Sequence, residues 1–216
     1  MREPDFVAPG VRLYLGDCRE ILPELAGIEC VVTDPPYGIS HSSGKGASWQ
    51  NTIIAGDSDT TMRDEVLTDF PEVAAFGTWK TPPIENTRGT LVWDKGPAFG
   101  MGDLSFPWKP SWELIYIRGR GWSGTRDEGV LHGHLVVSWE SKGRCHPHQK
   151  PVTLIEHIIR KTSARTICDP FMGSGSTGVA CLRLGRKFIG CEIDPQHFAT
   201  AVRRIEAELA RHPLFD

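Results

Sequence analysis

Apolar residues along the 216-residue chain fall into two alternating patterns. Short continuous runs predict strands: "VRLYL" (11–15), "IECVVT" (28–33), "TLVW" (90–93), "WELIYI" (112–117), "LVVSW" (135–139), "TICD" (166–169) and "KFIGCE" (187–192). Runs that are apolar at nearly every position suit a parallel sheet covered on both faces, where neither side of a strand meets water. Between them lie helical periodicities. "PVTLIEHIIRKTS" (151–163) places Ile155, Ile158 and Ile159 on one face, with Pro151 in the first turn. "PQHFATAVRRIEAELA" (195–210) places Phe198, Ala201, Val202, Ile205 and Leu209 on one stripe, behind Asp194 as N-cap and Pro195 as first helical residue. "CREILPEL" (18–25) predicts a short helix disturbed by Pro23. This alternation predicts an α/β sheet in a single domain covering 1–216.

Three segments fit neither pattern: 40–60, small and polar around Trp49; 94–111, rich in Gly, Pro and aromatics; and 118–134, rich in Gly and Arg. Loops of this length usually carry function. Composition adds limits. A hydrophobic content of 39% supports a real core, and no apolar run reaches membrane-spanning length. The N-terminus lacks the apolar stretch of a secretory signal, so a cytosolic location is the expectation. Cys18, Cys30, Cys145, Cys168, Cys181 and Cys191 are spread singly, and three fall inside predicted strands, where cysteine acts as a small hydrophobe. Cys145, His146 and His148 cluster, but no second ligand pair of matching spacing accompanies them, so no metal is expected. The net charge of −3 does not advertise a polyanion partner, although 109–150 leans basic through Lys109, Arg118, Arg120, Arg126, Lys142, Arg144 and Lys150.

The first stretch with chemistry is "TDPPYG" (33–38). A core strand runs into an acid, two prolines and an aromatic ring. Proline lacks an N–H and fixes φ, so the ladder must stop there, and the residue before it is pushed toward extended backbone. The product is a stiff shelf with a carboxylate at its base and a ring nearby. The plain alternative is a turn acid at Asp34.

The second is "DPFMGSGSTG" (169–178), set between a strand and a helix and followed by a strand ending at Glu192. Strand, glycine turn, helix, strand and acid make a mononucleotide-binding unit, in which the backbone can approach a ligand closely. A dinucleotide fits poorly. Only 194–216 remain for a second half, and Asp169 beside Gly173 and Gly175 would repel a pyrophosphate. S-adenosylmethionine carries an ammonium, a sulfonium and a ribose diol but no phosphate, and an acid-lined turn suits it. Glu192 stands where it can accept both ribose hydroxyls, or else is a solvated strand-end acid.

With both stretches in view, the chain resembles the amino-methyltransferases of DNA, and the tetrad-first, cofactor-turn-last order is similar to their circularly permuted β-type group. "HPHQKP" (146–151) and "LYLGDC" (13–18) resemble two further segments of that group. The resemblance implies a permuted Rossmann-like sheet with helices on both faces and S-adenosylmethionine as cofactor. It also implies a base-binding tetrad at Asp34, Pro35, Pro36 and Tyr37. It assigns cofactor contacts to Asp17, Lys150, Asp169, Phe171, Gly173, Ser174, Gly175 and Glu192, with Asp17 near the adenine and Lys150 near the cofactor carboxylate. Asp17 could equally cap the helix that starts at Cys18. The implied partner is double-stranded DNA. A homodimer is implied by resemblance only, and a restriction endonuclease partner is possible but nothing indicates one. The interval between tetrad and cofactor turn leaves only 40–60, 94–111 and 118–147 for target recognition.

The implied chemistry explains the shelf. The lone pair of an exocyclic amine is delocalised into its base. Acceptors at Asp34 and the Pro35 carbonyl would localise it, and the prolines hold them without reorganisation. The base must leave the duplex to reach them, with Tyr37 stacking on it. Trp49, Trp108 and Trp122 are candidate wedges or buried anchors. Asp-Pro-Pro-Tyr favours adenine N6 over cytosine N4. RNA or protein-glutamine methylation, and an inactive cofactor-binding scaffold, are the rival readings.

Overall fold

The computed structural model describes residues 2–38, 58–96, 105, 107–108, 111–132 and 150–211. Among these, nine strands form one sheet: β1 (Phe6–Ala8), β2 (Val11–Leu15), β3 (Cys30–Thr33), β4 (Val73–Gly77), β5 (Thr87–Asp94), β6 (Trp112–Arg118), β7 (Val130–Leu131), β8 (Thr166–Asp169) and β9 (Lys187–Glu192). Five helices accompany them: α1 (Cys18–Ile21), α2 (Thr61–Leu67), α3 (Val152–Ile159), α4 (Ser176–Arg183) and α5 (Pro195–Arg211). The spatial order is β1-β2-β9-β8-β3-β4-β6-β5-β7. β2, β9, β8, β3 and β4 are mutually parallel, whereas β1 and β6 run against their neighbours.

Alternation along each central strand sends side chains into two separate cores. Cys30, Val32, Ala74, Phe76, Ile167 and Phe188 face the layer holding α3, α4 and α5. Val31, Val73, Ala75, Cys168, Ile189 and Cys191 face the layer holding α1 and α2. Helices thus cover both faces, as the apolar runs predicted.

The predicted helices stand with small adjustments. At 18–25, α1 gives way to a 3-10 turn at Leu22–Glu24, because Pro23 cannot continue the α ladder. The Asp194 carboxylate accepts from Gln196 and His197 N–H, capping α5 as expected, and Ala201 and Ile205 are buried along the predicted stripe. β1, α2, β4 and β7 are additions to the predicted set. The sheet is also mixed rather than parallel throughout. The run 135–139 and both histidines of "HPHQK" lie outside the described residues.

The topology fixes where a ligand can sit. From β3 the chain passes through α2 to β4 on one side; from β8 it passes through α4 to β9 on the other. The crevice of an open α/β sheet lies at such a reversal, beyond the carboxyl ends of the strands. Asp34 follows β3 and Asp169 ends β8, so both informative stretches meet there.

α4 packs closely enough to require glycine. A Cβ at Gly178 would come within 2.8 Å of the Phe188 ring and 2.9 Å of the Ile205 side chain. Gly178→Ala is expected to lower stability by about 1–3 kcal/mol despite alanine's better helix propensity, read as the midpoint of urea unfolding. An unchanged midpoint would show that this layer can relax.

Candidate active site

Acids occupy the carboxyl rim of the parallel strands in order: Asp17 after β2, Glu192 on β9, Asp169 on β8 and Asp34 after β3. Because β6 runs antiparallel, its first residues reach the same rim, and Gly77 pairing with Leu114 sets Glu113 just beyond the end of β4. Five carboxylates therefore line one edge. Each is handled differently.

Asp17 is the N-cap of α1. It accepts from Arg19 N–H at 2.9 Å and from the Arg19 guanidinium at 2.6 Å, which holds its carboxyl below the ordinary range. Glu192 braces the glycine turn: one oxygen accepts from Gly173 N–H and the other from Asp194 N–H, each at 2.8 Å. Each oxygen keeps a second lone pair. Gly173 has φ +50 and a Cβ there would meet nothing within 4 Å, so its side faces open space. Gly175, at φ +78, lies against α5, where a Cβ would sit 2.9 Å from that of Ala201. Ser174 is buried, and its carbonyl accepts from Arg204 at 2.6 Å. Phe171 packs against the α1/α2 core.

Asp169 is 3% exposed. Thr33 donates to one oxygen at 2.6 Å, Phe171 N–H to the same oxygen at 3.1 Å, and Thr177 to the other at 2.7 Å. Burial dominates these bonds and lifts its carboxyl to about 6, with the Asp34 charge pushing the same way. The Thr33 hydroxyl ties the cofactor turn to the strand that carries the tetrad.

Asp34 has different company. Lys150 Nζ donates to Oδ2 at 2.6 Å and the Tyr37 hydroxyl donates to Oδ1 at 2.7 Å. Pro35 is buried, while the Asp34 side chain retains 27% exposure, so its outer edge stays accessible. Gly38 turns the chain at φ +70, and a Cβ would meet the Asp59 carbonyl carbon at 2.5 Å, which excludes any side chain there. Lys150 also lies 3.2 Å from Glu113 Oε2 and 5.0 Å from the Phe76 ring centre. Lys95 closes the other side of Glu113 in a short ion pair. Burial pushes the Glu113 carboxyl up, but the Lys150 and Lys95 ammonium groups outweigh it and hold the group at about 2. Burial, with the Asp34 and Glu113 charges adding, drives the Tyr37 phenol well above its ordinary value, so it stays a donor.

The structure brings the tetrad and the glycine turn together. Lys150 stands at Asp34, and Asp17 is engaged by Arg19. Glu113, Lys95, Thr33 and Thr177 are participants that sequence reasoning missed. A charge inside the apolar run "WELIYI" was the available signal for Glu113, and a hydroxyl between Val32 and Asp34 was the signal for Thr33. Two of the basic residues of 109–150 are engaged inside the protein. Arg118 lies at the opposite rim, where it donates to the carbonyls of Leu67 and Phe70, and Lys150 is buried. Trp122 donates to the Arg118 carbonyl at 2.8 Å and packs on the core as an anchor, whereas Trp108 is 70% exposed. Trp49 lies outside the described residues. Among the described residues there is no group of acids, histidines and cysteines that could hold a metal.

Residues 108–203 match the model of a DNA methylase family, the N6/N4 methyltransferases, and this stretch includes Lys150, the glycine turn and Glu192. The chain is 41% identical over 87 residues to the type II methyltransferase M2.DpnII of Streptococcus pneumoniae, a stretch that is 39% of this chain and 32% of that protein. The match to M2.LlaDCHI of Lactococcus lactis is of the same kind, 39% over 84 residues, 38% of this chain and 31% of the relative. The chain thus spans about a third of the length of these relatives. Similarity to the putative methylase YubD of Escherichia coli is weaker, 27%, but runs over 91% of this chain and 90% of that one.

Solved structures share the fold. The M1.HpyAVI–SAM complex superposes with a TM-score of 0.61 at 21% identity, covering 90% of this chain and 99% of that one. The cytosine-N4-specific PvuII DNA methyltransferase superposes at 0.62 with 16% identity, covering 97% and 95%. The α/β sheet of this chain is therefore a fold shared with solved DNA methyltransferases.

Replacing Thr33 by Val would remove one donor from a buried carboxylate, and a donor to the ionised form favours ionisation. The Asp169 carboxyl is then expected to titrate above about 6, read by carbon-13 NMR of the labelled side chain. Titration at an unchanged pH would mean the hydroxyl does not hold Asp169.

Proposed function

We propose that this chain is an S-adenosylmethionine-dependent DNA methyltransferase acting on an exocyclic amino group, with adenine N6 as the favoured target and cytosine N4 as the second reading. The observation that supports it most is the meeting, at the sheet's reversal point, of an accessible carboxylate on a proline-stiffened shelf with an acid-lined glycine turn. N6 is favoured because the tetrad begins with Asp34. N4 is kept because a cytosine-N4-specific enzyme shares the architecture.

The residues fit the cofactor. Gly173 presents open space beside Glu192, whose free lone pairs suit a diol, and Asp169 is a buried carboxylate paired only with dipoles, which suits an ammonium. Asp17 and Phe171 flank this turn on the adenine side in the same reading, with Ser174 and Gly175 shaping it. When bound, the cofactor supplies a methyl group on a sulfonium, an electrophile with a good leaving group. The chain's own task is then positioning. Asp34 and the Pro35 carbonyl accept the amine N–H groups and localise the lone pair, Pro36 keeps the shelf rigid, and Tyr37 offers its ring to the extruded base.

Double-stranded DNA is the proposed substrate, bound by one catalytic domain at 1–216. Its recognition loops would lie within 40–60, 94–111 and 118–147, most of which falls outside the described residues. A homodimer is proposed from family resemblance alone. No described helix is long and apolar enough to cross a membrane, which accords with a cytoplasmic enzyme of the restriction-modification kind.

The test is transfer of labelled methyl from S-adenosylmethionine to unmethylated duplex DNA, followed by digestion to nucleosides. Label in N6-methyladenine that drops by at least about a hundredfold in Asp34→Ala is the expected result. Label in N4-methylcytosine would select the second reading. No label in DNA with cofactor binding intact would overturn the DNA assignment.

A further inference from the structure

The described residues place four alternating charges in a row at the rim: Lys95, Glu113, Lys150 and Asp34. Glu113 contacts both lysines, Lys150 contacts both acids, and the Tyr37 hydroxyl lies 2.7 Å from Asp34 and 3.2 Å from Glu113. The signs cancel, two against two. A neutral, mutually bonded row is what allows ionised groups to stand at a partly buried site.

Lys150 is otherwise badly placed. It directly precedes Pro151, the N-cap of α3, and its ammonium is held away from solvent, where an unpaired charge is costly. Only 10% of its side chain is exposed. A cation there requires carboxylates, and it has two. With Asp34 alone as partner, Lys150 would press its charge onto the single acceptor that the amine needs. Sharing Lys150 with Glu113 removes that demand. Glu113 in turn is fixed from behind by Lys95, which sits just past the end of β5, beside the start of β6.

We propose that Glu113 is a positioning residue for the tetrad: it holds Lys150, whose ammonium reaches both Asp34 and the Tyr37 hydroxyl, so that the Asp34 carboxylate is anchored on its inner side and left open on its outer edge for the amine. The inference rests on the function proposed above and deepens it. Glu113 does not touch the amine. It acts through Lys150 and Tyr37, and it arrives at the site only because β6 is inserted antiparallel between β4 and β5.

Glu113→Gln keeps shape and removes the charge; Glu113→Asp keeps the charge and retracts it. With DNA that the wild type methylates, Glu113→Gln is expected to lose about 10–100-fold in kcat, the size of losing a partner that orients an active-site group. S-adenosylmethionine affinity should be unchanged by calorimetry and the KM for DNA within about threefold of wild type. Glu113→Asp should recover part of the loss. Lys150 titrates against desolvation, which lowers it, and against the Asp34 and Glu113 charges, which raise it by more. Among the described residues, the Lys95 ammonium, the Tyr37 phenol and, beyond Asp34, the Asp169 carboxyl are the other titratable groups facing this cluster. Losing Glu113 must therefore move the Lys150 titration, and with it the alkaline limb of kcat, to lower pH. Nitrogen-15 NMR of Lys150 Nζ reads this shift without turnover.

A Glu113→Gln protein with wild-type kcat, or with an unmoved Lys150 titration, would overturn the proposal. If Glu113→Gln does not fold, Glu113→Asp decides it alone, since full activity in that variant contradicts a role that depends on position. A wild type that methylates no DNA overturns the functional reading and the amine-accepting role with it. A shifted Lys150 titration in that case would still show that Glu113 controls the lysine.

Discussion

Two carboxylates at the ends of neighbouring parallel strands carry this structure's chemistry, and they are neutralised in opposite ways. Asp34 meets an ammonium, Lys150, at 2.6 Å. Asp169 meets only dipoles: two hydroxyls and one backbone N–H. An ionised group satisfied by a countercharge can serve as a fixed acceptor. One satisfied by dipoles alone in a buried setting still lacks a countercharge. Its folded-state value of about 6 lies above the ordinary carboxylate range. Asp169 therefore favours the fold most below that ordinary range, and this contribution is lost as pH rises through about 6. At neutral pH the fold carries Asp169 at a cost, which is the pattern of a group kept for binding rather than for stability.

Topology explains why these two acids are neighbours. β3 and β8 are far apart in sequence but adjacent in the sheet, and connections leave them in opposite directions. Among the described residues no helix connects β3 directly to β8 across that rim. The Thr33–Asp169 bond spans the two halves at 2.6 Å, so the Asp-Pro-Pro-Tyr shelf and the glycine turn are a single hydrogen-bonded unit. The antiparallel β6 completes that unit by delivering Glu113 to the same edge.

Much of this was legible in the sequence. The apolar runs gave most of the sheet because strands covered on both faces cannot afford polar interruptions. "DPPY" and the glycine turn announced their backbone geometry through proline and glycine, whose constraints are local. β4 hid because "VAAFG" is short and three of its five residues are Ala or Gly, which are depleted in strands, and α2 hid because its buried face is only Arg63, Val66 and Leu67. The mixed strand direction could not be read at all, since period-two patterns carry no sense of direction. That is also why Glu113 and Lys95 were missed: their approach to Asp34 is set by pairing across β4, β5 and β6. Gly38 is the reverse case. Its identity meant nothing in the sequence, and contact with the Asp59 backbone explains it.

Calorimetry of S-adenosylmethionine binding across pH tests most directly the proposal that Asp169 receives the cationic end of the cofactor. With Asp169 titrating at about 6, affinity should be full above that value and fall about tenfold from pH 7 to pH 5 as the carboxyl protonates. Near pH 6 the measured heat should vary with the ionisation enthalpy of the buffer, because ligand binding expels the Asp169 proton. Affinity that is flat across this range, with heats independent of buffer, would contradict the account.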